Sequence, residues 1–187
     1  MRHTALLVID IQRGAFDGMR CTPIDQPDSL VANALDLVHA ARAGGTPIVF
    51  VQHCDGASEV FEEGTSHWRL HEALTPQPDE KVMKKYASSA FEGTELSATL
   101  EALEVRELVL CGLQSEFCVS NTAKSALAKG FAVLIARDGH STWPSGARSA
   151  GEIRETVNGE LEAAGATLSS TVNLARSIRD ARTKEYE

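Results

Sequence analysis

Cys118 follows an apolar run and a short turn, Gly112-Leu113-Gln114-Ser115-Glu116-Phe117, and opens a stretch with helical periodicity. A thiol at the start of a helix feels the positive end of the helix dipole, which favours thiolate over thiol. The backbone amides of the same turn point outward and are suited to receive an oxyanion. The bland alternative is a buried cysteine that packs as a small hydrophobe. Asp10 closes the apolar run Thr4-Ala5-Leu6-Leu7-Val8-Ile9, where an acid is either a solvent-facing strand end or a site group. Lys85 closes a later short strand, a place where lysines are usually solvated. Brought together, the acid, the cation and the thiol make a nucleophile with a base and a charge stabiliser.

Such residues need a scaffold that brings distant chain segments to one edge. The pattern alternates short apolar runs with amphipathic stretches. Residues 28 to 43 carry a helical stripe (Leu30, Val31, Ala34, Leu37, Val38, Ala41), with Asp28 or Ser29 as the expected cap and Gly44-Gly45 as the stop. Strands are predicted at Pro47 to Val51, at Lys81 to Lys84 (with Val82 and Met83 buried), at Leu108 to Gly112, at Phe131 to Ala136 and at Ala166 to Leu168. Helices are predicted at Thr94 to Leu103, through Cys118 to Ala128, at 149 to 164, and at the C-terminal end. Residues 53 to 79 read as a long irregular stretch. Continuous apolar strands separated by helices imply a parallel sheet covered on both faces, hence a three-layer α/β/α, doubly wound fold in one domain over 1–187. Ligands in such sheets bind beyond the carboxyl ends of the strands, where Asp10, the segment 112 to 118 and Asp138 are expected.

Bulk properties narrow the function. The chain has 187 residues, 43% hydrophobic and 24% charged, with a net charge of −8. That charge argues against nucleic-acid binding, which needs a concentrated basic surface; Lys81, Lys84 and Lys85 are too few to form one. No run reaches the ~18 apolar residues of a membrane span. Met1-Arg2-His3-Thr4 has no signal-peptide layout. The four cysteines lack CxxC spacing and a secreted framework, so a cytoplasmic setting with reduced thiols is expected. Neither GxGxxG nor GxxxxGK[ST] occurs, so no nucleotide cofactor is expected.

Four segments in order give the chain its resemblance to a family. They are Ala5-Leu6-Leu7-Val8-Ile9-Asp10-Ile11-Gln12; Lys85 through Leu96, containing Ser89-Ala90-Phe91; Leu110-Cys111-Gly112-Leu113-Gln114-Ser115-Glu116-Phe117-Cys118-Val119; and Arg137-Asp138-Gly139-His140-Ser141-Thr142. Along almost its whole length the chain resembles the isochorismatase-like hydrolases, in the cysteine hydrolase branch and closest in pattern to streptothricin-hydrolase-like members. The resemblance implies a six-stranded parallel sheet and a triad of Asp10, Lys85 and Cys118. It selects Lys85 over Lys84, because the family lysine stands four residues before the Ser of Ser89-Ala90-Phe91. Neighbours in a strand point opposite ways, so only one of the two faces the cleft.

It further implies an oxyanion hole from the backbone of Gln114 and Cys118, a cis peptide at Leu113–Gln114, and hydrolysis of an amide-type C–N bond of a small molecule through a thioester. Homo-oligomers are common in the family. Gln12, Phe16, Trp68 and Trp143 are candidate substrate-binding residues, with ordinary packing as the alternative for the two tryptophans. Glu116 either binds a cationic substrate group or simply suits a helix N-terminus. Metal-using nicotinamidases of this superfamily carry Asp-x-His after the second strand; here the segment is Val51-Gln52-His53, and His67 and His71, four apart, are a possible ligand pair without a third partner. No metal or other cofactor is therefore expected. Competing readings are a vinyl-ether hydrolase, a nicotinamidase, a vestigial binding or assembly protein, and a redox pair of Cys111 and Cys118.

Overall fold

Strand β1 (Thr4–Ile9) is apolar along almost its whole run and buried at every position, as a parallel strand covered on both faces must be. In the computed structural model, which describes residues 3–183, β1 lies at the middle of a six-stranded sheet. It pairs on one side with β2 (Ile48–His53), which pairs with β3 (Lys81–Lys85). On the other side come β4 (Glu107–Leu113), β5 (Ala132–Ser141) and β6 (Thr167–Ser169). All five pairings are parallel, and the order is β3-β2-β1-β4-β5-β6.

Alternation along β1 divides the core in two. Leu6 and Val8 join the cluster under α1 (Pro27–Gly44) and α5 (Thr171–Thr183). Ala5, Leu7 and Ile9 join the cluster under α2 (Leu96–Ala102), α3 (Ser120–Ala128) and α4 (Ala150–Ala163). The three-layer α/β/α fold is the one the apolar pattern predicts.

The chain leaves β1 to build one half of the sheet and returns beside it, at β4, to build the other half. The carboxyl ends of β1 and β4 therefore flank the topological switch point, where the flanking connections diverge and leave a crevice. Gly112 sits at this junction with φ +128°, and a Cβ there would stand 1.9 Å from the Ile9 carbonyl oxygen. No residue with a side chain fits. The pairing of β4 with β5 shifts register between Leu110 and Gly112, and the Leu113–Gln114 peptide is cis.

Four expectations are corrected. The β5 strand runs on to Ser141 instead of stopping at Ala136, because the register shift lets His140 and Ser141 pair with Gly112 and Leu113. Val82 is exposed, since β3 is the sheet edge and has only one neighbour. The α1 helix begins at Pro27, whose missing N–H suits the first turn, and neither Asp28 nor Ser29 caps it. Asp138 points away from the crevice: its Oδ1 accepts from the Thr171 N–H and hydroxyl at the start of α5.

Candidate active site

Asp10 is the first residue past β1, held at φ 53° by its N–H to the Val51 carbonyl and its own carbonyl to the Gln12 N–H. A left-handed aspartate is uncommon and marks a position set by its surroundings. Lys85 ends β3 and is fully buried, whereas Lys84 turns outward to Glu63. The strand alternation thus selects Lys85. Cys118 lies in a wide, π-type turn, Ser115–Val119, that joins β4 to α3.

These three side chains meet at one atom. The Lys85 Nζ is 2.8 Å from Asp10 Oδ2 and 3.1 Å from Cys118 Sγ. It also lies 2.9 Å from His53 Nδ1 and 3.2 Å from the Ala87 carbonyl, so its three hydrogens are taken up by His53, Ala87 and Cys118, and Asp10 is held by charge. The Asp10–Lys85 ion pair lies off the line of a well-directed hydrogen bond, and Asp10 Oδ1 has no hydrogen-bond partner among the described residues. Oδ2 likewise accepts no directed hydrogen bond, so the carboxylate is open to take a proton.

The electrostatics follow from burial. Desolvation raises the Asp10 pKa, against the pull of Lys85, and makes its carboxylate a stronger base than an ordinary aspartate. Burial alone would depress Lys85, but the attraction of Asp10 and Cys118 outweighs it and keeps the amine charged. Burial, joined by the Asp10 charge, pushes the Cys118 thiol up to about 11 in spite of Lys85. This corrects the expectation that thiolate is favoured: the helix-terminus argument omitted the burial of the sulfur and, after it, the carboxylate beside it.

A cavity of about 310 Å³ opens over this cluster. Asp10, His53, Asp55, Ser88, Gln114 and Cys118 give it a polar end, and Val60, Phe61, Phe117 and Trp143 an apolar one. Of the four proposed substrate contacts, Trp143 lines this cavity, its indole N–H donating to the Thr22 carbonyl. Gln12 is fully buried and clamps His53 instead, accepting from its N–H and donating to its carbonyl and to that of Trp68. Phe16 packs edge-on against His71 in a separate cavity. Trp68 packs on the core and under the Lys84 ammonium. Glu116 turns aside to accept from the Thr142 hydroxyl.

His53, Asp55, Ser88 and Phe61 are site residues that the sequence reading did not assign. The first had a signal: it ends β2 as Asp10 follows β1. His53 accepts from Lys85 through Nδ1, and its Nε2 then donates to Asp55 Oδ1 at 2.9 Å. A second network supports the nucleophile turn. The Ser115 hydroxyl donates to His140 Nδ1, His140 Nε2 donates to Asn158 Oδ1, and Asn158 donates to the Arg137 carbonyl. Burial lowers the His140 pKa to about 4, in keeping with a neutral ring that accepts on one side and donates on the other.

Asp10, His53 and Cys118 form a potential metal-ligand group, with ligand atoms within 4.8 Å of one another. A divalent ion does not fit them, because the Lys85 ammonium stands among all three at hydrogen-bond distance and already supplies the cation. His67 and His71 do not share a helix face. The former pairs with Asp17, and the latter caps the short turn at Glu72–Leu74. Cys111 is buried inside β4, and all four cysteines are free thiols. No helix among the described residues is long and apolar enough to cross a membrane.

A parallel doubly wound sheet thus brings an acid, a lysine and a cysteine together beside its switch point, as an α/β protein with a crevice site. The sequence profile of the isochorismatase domain matches residues 4–173, and the chain belongs to that family. It is 35% identical over 139 residues to a streptothricin hydrolase of Streptomyces noursei, covering 74% of this chain and 54% of that protein. The chain thus spans about half the length of the streptothricin hydrolases it matches. It is 31% identical over 156 residues to nicotinamidase 3 of Arabidopsis thaliana, covering 74% and 73%. Its fold superposes on the crystal structure of a cysteine hydrolase from Pseudomonas syringae pv. phaseolicola 1448A with a TM-score of 0.90 at 21% identity, over 96% of this chain and 93% of that one.

Proposed function

We propose that this protein hydrolyses an amide-type C–N bond of a small molecule through a Cys118 thioester, with Asp10 as proton carrier and Lys85 as charge partner. The observation that carries the reading is the convergence of Asp10 and Cys118 on one buried ammonium at the floor of a cavity. The upward shifts of Asp10 and Cys118 support one order of events. Asp10 takes the thiol proton as sulfur attacks the carbonyl carbon, and Lys85 offsets the charge passing through sulfur. The oxyanion is received by the backbone N–H groups of Gln114 and Cys118. Collapse breaks the C–N bond while Asp10 returns its proton to the leaving nitrogen. Water then attacks the thioester, gives a proton to Asp10 and releases the acid; that proton restores the thiol.

Relatives named as a nicotinamidase and a streptothricin hydrolase support an amide-type bond. A cavity of about 310 Å³ suits a small molecule. Four free thiols agree with a cytoplasmic setting, and self-association follows by analogy with the family. The test is an ammonia-release screen over small amides, with iodoacetamide-treated protein as control. Cys118→Ala and Asp10→Asn each abolish turnover, while Cys111→Ala retains it. Turnover surviving in Cys118→Ala would eliminate the thioester route.

A further inference from the structure

The Ser88 hydroxyl lines the cavity 4.0 Å from the Cys118 sulfur. Its position is stapled to the helix that follows the nucleophile: Asn121 Nδ2 donates to Ser88 Oγ at 2.8 Å, the Ser89 hydroxyl donates to Ser125, and the Ala90 N–H donates to Thr122 Oγ1. The Asn121 contact decides the direction of the hydroxyl. A serine has one hydrogen and two lone pairs; with a donor fixed on the oxygen, the hydrogen is left to point elsewhere, and the sulfur is the acceptor within reach. That sulfur is short of donors. Its charged donor, Lys85, also serves His53 Nδ1 and the Ala87 carbonyl and is drawn to the Asp10 carboxylate.

We propose that Ser88 is a further catalytic group of this site, its hydroxyl aimed by Asn121 to donate to the Cys118 sulfur as the thiol gives up its proton. The contact is long against a thiol, which is a weak acceptor, and shortens against a thiolate, to which charge-assisted hydrogen bonds are strong. The proposal rests on Cys118 being the nucleophile.

The experiment reads the thiol itself and needs no substrate. Iodoacetamide labelling of the full chain is followed cysteine by cysteine with peptide mass spectrometry between pH 6 and 10. In S88A the Cys118 rate falls about threefold to tenfold at each pH of this range, as loss of a hydrogen bond to a charged group requires. S88T keeps the hydroxyl and restores the parent profile; N121A, which removes the aim, slows labelling less than S88A. Cys111 is fully buried, so its protection reports an intact core in each variant; if S88A exposes it, S88T and N121A carry the test. A Cys118 profile indifferent to Ser88, or one slowed as much by threonine as by alanine, overturns the proposal alone. A parent Cys118 that never labels while Cys111 is protected overturns the nucleophile reading and this proposal with it.

Discussion

Replacing His140 with glutamine tests whether the turn bearing Cys118 is held by a ring that must stay neutral. His140 is 1% exposed, and its pKa falls from the ordinary 6.5 to about 4 because burial penalises the imidazolium. Above pH 6.5 the ring is neutral in both folded and unfolded chains, and its contribution to stability is fully present. As pH falls from 6.5 towards 4, the unfolded chain takes up a proton that the folded one refuses, so stability is lost. At about 1.4 kcal/mol per pH unit, the loss approaches about 3 kcal/mol by pH 4 and levels off below it. Glutamine retains an amide donor and acceptor without titrating. Its cost at pH 7.5 is separate from the quantity of interest, which is the difference between the two pH dependences. Urea unfolding at pH 7.5, 6.0 and 4.5 gives that difference directly. The parent is expected to lose about 2–3 kcal/mol more than His140→Gln between pH 7.5 and 4.5. Parallel pH dependences would refute the reasoning, and with it the donor and acceptor assignments of Ser115, His140 and Asn158.

Gly112→Ala places a Cβ against the Ile9 carbonyl at a φ that disfavours any side chain, so β1 and β4 must separate at the switch point. Soluble yield and thermal melting should both collapse, whereas Gly151→Ala on α4, with open space around it, should melt as the parent does. Lys85→Met leaves the Asp10 carboxylate buried without its cation, which costs about 3–5 kcal/mol when one partner of a buried pair is removed. Adding Asp10→Asn should recover much of that stability in urea titrations while turnover of any identified amide stays absent. Failure of the second change to recover stability would show that the pair is not coupled as its distance implies.

The element order, the parallel sheet, the places of Asp10 and Lys85 at strand ends and that of Cys118 in the turn after β4 were legible in the residues. Hydrophobic period reports which faces are covered, and a polar residue ending a buried run reports the sheet's carboxyl edge. The choice of Lys85 over Lys84 came from the family resemblance, whose lysine stands four residues before Ser89; strand alternation alone said only that one of the two faces inward. His53 was half-legible, as the polar end of β2. What no local pattern contained was the convergence around one ammonium, and the consequence that Cys118 rests as a thiol. Nor did it contain the assignment of Gln12 to clamping His53, of Asp138 to capping α5, or of Ser88 to the sulfur. Those depend on distances between segments tens of residues apart and on how much water the folded chain excludes. Periodicity carries the direction of a side chain but not its neighbours, and charge in a protein is set by neighbours and burial.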